Sequence, residues 1–170
     1  MRNPSVDEYH PNYQKYFDLV PEGDYLDLLT ENSNDTVTFL KKLPEEKRDY
    51  RYAEQKWTTK QVVMHIIDTE RVFSYRGLVA ARGDTFTVEH RMDEELYASN
   101  VDVSPRSWES LIAEFEAVRS TTRYLFENIT DAESKRWCNI GTSPMTARAI
   151  GYFIIGHALH HLNVLQERYL

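Results

Sequence analysis

Three of the six histidines in this chain lie in its last stretch, Thr146 to Leu170, and two of them have the spacing of metal ligands. His157 and His161 are four residues apart, so a helix would place them on one face, one turn above the other. One metal ion would satisfy both imidazoles. The apolar residues that recur around them at helical intervals, and would turn the pair toward the protein interior, are Ile150, Phe153, Ile154, Val164 and Leu165.

A buried histidine is more often an ordinary hydrogen-bonded core residue than a metal ligand. Two histidines on one apolar stripe weaken that interpretation, because each would need its own partner where polar side chains are few. A zinc ion or a similar metal needs at least three protein ligands. The metal hypothesis therefore requires a third ligand elsewhere in the chain.

The third candidate ligand is His65, which lies in a second predicted helix. Thr58 and Gln61 form a capping-box pattern that predicts the start of this helix, and Gly83 is a suitable residue at its end. Since His65 borders the apolar stripe of this helix, we expect it to face the interior. The stripe consists of Val62, Ile66, Thr69 and Phe73.

Asp68 follows His65 by three residues and is the candidate catalytic residue. At this spacing its carboxylate could orient the imidazole or reach a metal-bound water, where it would serve as a base. A solvated carboxylate on the helix surface fits the same spacing equally well. The sequence leaves both interpretations open.

Two further helices complete a set of four. The first is predicted from an N-cap at Asp24 to Leu43, where Pro44 would stop it. The third is predicted from an N-cap at Ser104, with a proline at its first position, to about Ile129. Four such helices and a weak strand signal predict an all-α four-helix bundle.

The segments outside these helices differ in character. Residues 1–23 contain three prolines among aromatic residues, so we expect an extended N-terminal tail that lies across the bundle. The acidic connection from Asp84 to Val103 is long enough to cover a site, with a short helical turn near Asp93 to Ala98. A connection of this length also suggests a crossover between two parallel helices.

Composition excludes several functions. The 170 residues, 41% of them hydrophobic, fit one domain, and a net charge of −7 disfavours nucleic-acid binding. We expect no membrane segment and a cytoplasmic protein, because no long apolar run or signal-peptide pattern is present. The single cysteine, Cys138, cannot form an internal disulfide and is given no catalytic role. No glutamate precedes a helical histidine by three residues, which argues against a di-iron bundle.

The runs KWTTKQVVMHIIDTER and GHALHHLNVLQERYL resemble the DinB-like superfamily, in particular its bacillithiol-transferase-like and metal-dependent hydrolase branch. The resemblance spans nearly the whole chain, 1–170, including YQKYFDLVPEGD in the tail and LPEE after the first helix. It implies a bundle in down-up-up-down order, a homodimer, and a divalent metal, nickel or zinc. By motif position the metal ligands are His65, His157 and His161, whereas His160 has no assigned role.

The three ligands leave two functions of different kinds open. One is a metal-dependent enzyme, a thiol S-transferase or a hydrolase, in which the metal activates a thiol or water for attack on a small electrophilic substrate. A low-molecular-weight thiol would be its co-substrate, and Arg76 and Arg148 are candidates to bind the carboxylates of that thiol. The alternative is a non-catalytic, metal-stapled bundle that acts as a stress-associated binding or scaffold module.

Overall fold

Four long helices form the body of the protein in a computed structural model that describes residues 1–170. They are α2 (Tyr25–Lys42), α3 (Thr59–Ala81), α5 (Trp108–Glu127) and α7 (Ala147–Arg168). The shorter elements are the 3₁₀ turns Pro11–Tyr13 and Glu45–Lys47, the helices α1 (Gln14–Phe17), α4 (Glu94–Asn100) and α6 (Asp131–Ser134), and the strands β1 (Trp137–Cys138) and β2 (Met145–Thr146). None of the helices combines the length and the apolar character needed to cross a lipid bilayer.

Local capping chemistry sets the starts of three long helices as the sequence predicts. Thr58 and Gln61 form both hydrogen bonds of a capping box at the start of α3. The side chain of Asp24 accepts a hydrogen bond from the backbone of α2, and the side chain of Thr146 does the same for α7. These three predicted boundaries are confirmed.

The predicted start of the third long helix is wrong by several residues. The N-cap of α5 is Ser107, whose side chain accepts a hydrogen bond from the backbone N–H of Ser110. The hydroxyl of Ser104 instead donates to the carboxylate of Asp102 at 2.6 Å, and the backbone N–H of Ser104 donates to the same oxygen. The aspartate therefore holds Ser104 in a turn, and the proline that follows belongs to that turn.

The linker between α5 and α7 contains structure that the sequence does not predict. Thr130 and Glu133 form a second capping box, which starts α6. After α6, β1 and β2 pair in antiparallel fashion, with Trp137 opposite Thr146. Strands of two residues are too short to give a periodic sequence signal.

Contacts between the long helices give the bundle its down-up-up-down order. Glu70 of α3 contacts Arg119 of α5, and Gly77, further along α3, lies beside Phe126, further along α5, so these two helices run parallel. α3 and α7 run antiparallel, because Gly77 also contacts Ile150 at the start of α7. The long connection that contains α4 is thus the crossover that the sequence predicts.

The core consists of two apolar clusters with a polar layer between them. The first cluster is built around side chains from the end of α3 and the start of α7, including Phe73 and Ile150. The second lies at the other end of the bundle, around Ile67, Trp108 and Leu165. The buried polar and charged residues between the clusters include Asn32, His65, Glu70, Arg119 and His157.

The N-terminal segment, residues 1–23, lies against α7. Tyr13 and Tyr16 pack edge-on against Phe153, with ring centroids 5.3 and 5.1 Å apart. A Cβ atom at Gly156 would lie 2.2 Å from the carbonyl oxygen of Tyr16, so only glycine permits this close approach. Glycine at this position in a helix interior therefore has a packing reason, and it brings Tyr16 next to the candidate ligand His157.

Candidate metal centre and its cavity

The three histidines predicted as metal ligands converge in the structure. The Nε2 atom of His157 lies 3.1 Å from Nε2 of His65 and 3.1 Å from Nε2 of His161. The candidate ligand atoms of all three lie within 4.8 Å of one another. Two nitrogen ligands of a tetrahedral zinc ion, each about 2.0–2.1 Å from it, are about 3.3 Å apart. The spacing is therefore close to that of a metal site.

Hydrogen bonding alone cannot account for this cluster. A neutral imidazole nitrogen carries either one hydrogen or one in-plane lone pair, so Nε2 of His157 can make one hydrogen bond, not two. It nevertheless has two nitrogen neighbours at 3.1 Å. A metal ion at the centre would accept a lone pair from all three nitrogens.

The surroundings keep the three imidazoles neutral, which is the form that binds metals. Burial lowers the pKa of His65 to about 4, although the negative charge of Glu94 opposes this shift. Burial also lowers the pKa of His157 well below its ordinary value, and it lowers the pKa of His161 strongly. His65 and His157 are only 9% and 5% exposed.

Aromatic rings enclose the cluster, which we call the histidine triad. The Trp57 ring lies 4.8 Å from the His65 ring, and its Nε1 donates a hydrogen bond to Glu95 at 3.2 Å. On the other side, the Tyr16 and Phe153 rings lie 5.7 and 5.5 Å from the His157 ring. These rings exclude water from the sides of the triad while its remaining face adjoins a cavity.

That cavity has a volume of about 450 Å³ and includes all three triad histidines in its lining. One of its sides is a stripe of α3 that starts at His65 and continues through Thr69 and Phe73 to Arg76. These residues follow one another at helical intervals, so they share one face of α3. The N-terminal segment contributes Asn12, Tyr13, Lys15 and Tyr16, and the connection around α4 contributes Arg91, Met92, Glu94 and Glu95.

Asp68, the candidate catalytic residue, does not line this cavity. Its carboxylate accepts a hydrogen bond from Arg71, which also pairs with Glu114 of α5. The Nδ1 atom of His65 is buried without a hydrogen-bond partner, so Asp68 does not orient that imidazole. The structure therefore brings the three histidines together but not Asp68.

The two arginines considered for substrate binding have different environments. Arg148 is bound to the carboxylate of Glu8, which also accepts a hydrogen bond from Thr146 at 2.8 Å, and it does not line the cavity. Arg76 does line the cavity. Of the two candidates, only Arg76 can meet a ligand at the triad.

The remaining candidates from the sequence have simple outcomes. His160 lines the cavity and packs edge-on against Tyr16 and His161, with ring centroids 5.3 and 5.0 Å apart. Cys138 is fully buried away from the cavity, and burial raises the pKa of its thiol to about 11, so it is not a reactive thiolate.

Sequence reasoning missed the glutamates at the cavity rim. Glu94 and Glu95 lie at the start of α4, in the connection that was expected to cover a site. Asp93 and Asp102 are acidic residues of the same connection, but their carboxylates accept local backbone hydrogen bonds as a helix cap and a turn residue. Glu94 and Glu95 differ from these two aspartates because α4 places them at the cavity, and no local sequence pattern predicts that placement.

A down-up-up-down four-helix bundle with a histidine triad beside an open cavity defines a class of helical proteins with a candidate metal centre. The chain belongs to the DinB superfamily, whose family model matches residues 28–165. No curated protein sequence matches the chain.

Two solved structures share the fold. YfiT from Bacillus subtilis, described as a probable metal-dependent hydrolase with an unusual four-helix bundle topology, superposes with a TM-score of 0.69 at 17% identity. The match covers 97% of this chain and 87% of YfiT. The DinB-like protein YjoA from Bacillus subtilis superposes with a TM-score of 0.59 at 17% identity, covering 85% of this chain and 87% of YjoA.

Proposed function

We propose that this protein is a metal-dependent enzyme that activates a thiol or water for attack on a small electrophilic substrate. In this proposal it is a thiol S-transferase or a hydrolase, with His65, His157 and His161 as ligands of a divalent metal, nickel or zinc. The observation that carries the proposal is the convergence of three neutral imidazoles beside a cavity of about 450 Å³. The description of YfiT as a probable metal-dependent hydrolase supports the same class.

The cavity favours an enzyme over a metal that only staples the helices. Structural zinc sites are usually closed, with four protein ligands, whereas catalytic sites keep a position open for water or substrate. Here the chain offers three histidines, and the cavity that they line can admit a small molecule. A metal that only links the helices would not need an adjoining cavity of this size.

Each part of the site has a role in this proposal. The three neutral imidazoles hold the metal, which lowers the pKa of a thiol or water by several units. The rings of Trp57 and Phe153 keep bulk water from the sides of the triad. Glu94 and Glu95, not Asp68, are the carboxylates that line the cavity and can accept the released proton.

Elemental analysis tests the ligand assignment. Protein purified without a metal-affinity tag should contain about one metal ion per chain, and His161→Ala should lose most of it while keeping the helical circular dichroism spectrum. His160→Ala is the matched control, because it removes the adjacent imidazole from outside the triad. Stoichiometric metal in His161→Ala would overturn the assignment.

Turnover separates the enzyme from the stapled bundle. Metal-loaded protein should accelerate the consumption of an electrophile, such as a chloronitroarene or an activated ester, in the presence of a low-molecular-weight thiol or in water alone. His161→Ala should lose this acceleration. Metal-dependent melting without turnover across thiols and electrophiles would favour the binding or scaffold module instead.

The homodimer and the cytoplasmic location also belong to this proposal. The family resemblance supports the homodimer, and the sequence pattern, with no long apolar run and no signal-peptide pattern, supports the location. Size-exclusion chromatography with light scattering should give a mass near 40 kDa, about twice the 20.0 kDa of one chain. A mass near that of one chain would contradict the dimer.

A further inference from the structure

Arg76 is a buried cation at the cavity that has no anionic partner in the chain. Its side chain is only 2% exposed, yet no carboxylate lies within 4.0 Å of its guanidinium. One nitrogen, Nη2, donates to the carbonyl oxygen of His90 at 2.6 Å, whereas Nε is buried and has no hydrogen-bond partner. An unpaired buried charge with an unsatisfied donor is costly, so it requires an explanation.

The position of Arg76 relates it to the triad. Arg76 lies eleven residues after His65 on the same face of α3, which places the two Cα atoms about 16 Å apart along the helix. The guanidinium lies over the ring of Phe73, 4.6 Å from its centroid and one turn closer to His65. A ligand that extends along this side of the cavity can therefore contact both groups.

The stretch between the triad and Arg76 is aromatic. The Phe73 and Phe153 rings pack at a tilt of 31° with centroids 4.1 Å apart, and Tyr13 packs edge-on against both. All three line the cavity. This stretch suits an apolar segment of a ligand, flanked by a polar group at each end.

The other charges around the cavity do not neutralise Arg76. Arg91 pairs with Glu94, the Nζ of Lys15 lies over the Tyr16 ring, and the Glu95 carboxylate accepts a hydrogen bond from Trp57. Burial lowers the pKa of Arg76, and the acidic groups of Tyr13 and Glu89 oppose this shift without forming an ion pair with it. The buried end of the cavity therefore carries one free positive charge.

We propose that Arg76 is an anion subsite, and that the substrate of the triad is a small molecule with a carboxylate or phosphate group joined through an apolar segment to its reacting end. This inference rests on the proposed function for the reacting end and concerns what the other end recognises. The planar guanidinium can bind such oxyanions through two parallel N–H donors. A bound oxyanion would compensate the charge of Arg76.

Isothermal titration calorimetry with matched probes tests the subsite. The carboxylates 3-phenylpropionate and 4-phenylbutyrate are compared with their neutral amides, and phenyl phosphate distinguishes phosphate from carboxylate recognition. The wild-type protein should bind at least one oxyanion about tenfold or more tightly than its neutral counterpart. Equal binding of charged and neutral probes, or binding of none, would overturn the proposal.

Two variants assign the preference to Arg76. Arg76→Gln should abolish the preference for the charged probe. Arg76→Lys keeps the positive charge but not the two parallel N–H donors, so it should retain part of the preference. Arg123→Gln is the matched control, because it makes the same charge change on an exposed part of α5 outside the cavity. If Arg76 only held the His90 carbonyl, these substitutions would not alter the preference, and that result would overturn the subsite.

A third variant separates this inference from the proposed function. In the His65→Ala, His157→Ala, His161→Ala protein, the preference for the oxyanion should persist, since Arg76 is unchanged. A preference that disappears there but survives in Arg76→Gln means that the oxyanion binds at the triad, which overturns the subsite and leaves the metal centre standing. If the wild-type protein never binds metal but its oxyanion preference depends on Arg76, the result supports the anion subsite and contradicts the proposed metal-dependent function.

Discussion

Two arginines, Arg119 and Arg76, are almost equally buried in this bundle, yet the chain treats them differently. Arg119 is 3% exposed, lies 2.9 Å from the carboxylate of Glu70, and donates a hydrogen bond to Asn32 at 2.7 Å. Arg76 is 2% exposed and has a carbonyl oxygen as its hydrogen-bond partner. Arg119 lies between helices in the bundle core, whereas Arg76 lines the cavity.

The difference separates a structural charge from a functional one. A buried charge is tolerated when its partner lies within the fold, and Arg119 meets that condition. Arg76 does not, and neither does the triad, in which three imidazole nitrogens meet without enough hydrogen bonds. Arg76 and the triad line the same cavity, where one ligand can reach both.

Removal of each arginine gives the largest expected difference. Arg119→Met should lower the free energy of unfolding by about 3–5 kcal/mol, because Glu70 is left buried without its cation. Arg76→Met should change it by less than about 1 kcal/mol, because it removes an uncompensated charge and frees one carbonyl of an exposed residue. Urea unfolding with a chelator present measures both without a contribution from metal. Equal losses of unfolding free energy in the two variants would contradict the distinction between a structural and a functional arginine.

A third arginine, Arg148, pairs with a carboxylate, and this pair makes the stability of the fold depend on pH. Burial alone would raise the pKa of the Glu8 carboxyl, but hydrogen bonds from Arg148, Ser5 and Thr146 outweigh it and lower that pKa from 4.5 to about 2. The folded-state pKa is below the unfolded one, so the pair stabilises the fold above pH 4.5. Its contribution, about 2 kcal/mol after allowance for solvent screening, is lost as the pH falls from about 4.5 to 2.

Glu8→Gln isolates this contribution. The variant should be less stable than the wild type at pH 7, and the difference in the free energy of unfolding should shrink toward pH 2. Urea unfolding of both proteins between pH 7 and pH 2 measures it. A difference that stays constant with pH would show that Glu8 is not the titrating group.

The smallest expected effect concerns Asp68. Asp68→Asn should leave the metal content unchanged and change the free energy of unfolding by less than about 1 kcal/mol, because its partly exposed pair with Arg71 is weak and is opposed by burial, which raises the pKa of Asp68. Glu94→Gln, at the cavity, should instead reduce turnover. Loss of metal in Asp68→Asn would restore that residue to the site.

The sequence predicts the helices and the triad because their signals are local. The capping residues Asp24 and Thr58 mark helix starts through hydrogen bonds within one turn. His65 and His157 lie on apolar stripes, so their helices must turn them inward. The length of the crossover connection further favours the observed helix order.

Asp68 shows where such reasoning ends. Positions three and four residues after His65 are both near it on a helix, but only Thr69 lines the cavity, while Asp68 turns toward Arg71 and α5. The choice depends on how α3 is rotated between its neighbours. Likewise, nothing near Arg76 in the sequence reports that its surroundings contain no carboxylate, because those surroundings come from distant segments.

The close approach of Tyr16 to Gly156 divides the site between two stretches of chain. The family match covers residues 28–165, which hold every triad histidine, whereas four cavity residues lie before it: Asn12, Tyr13, Lys15 and Tyr16. The candidate metal ligands and these four cavity residues therefore lie in different segments of the chain. Exchange of residues 9–20 among relatives that keep a glycine at the equivalent of Gly156 offers a way to graft new substrate preferences onto an unaltered metal centre.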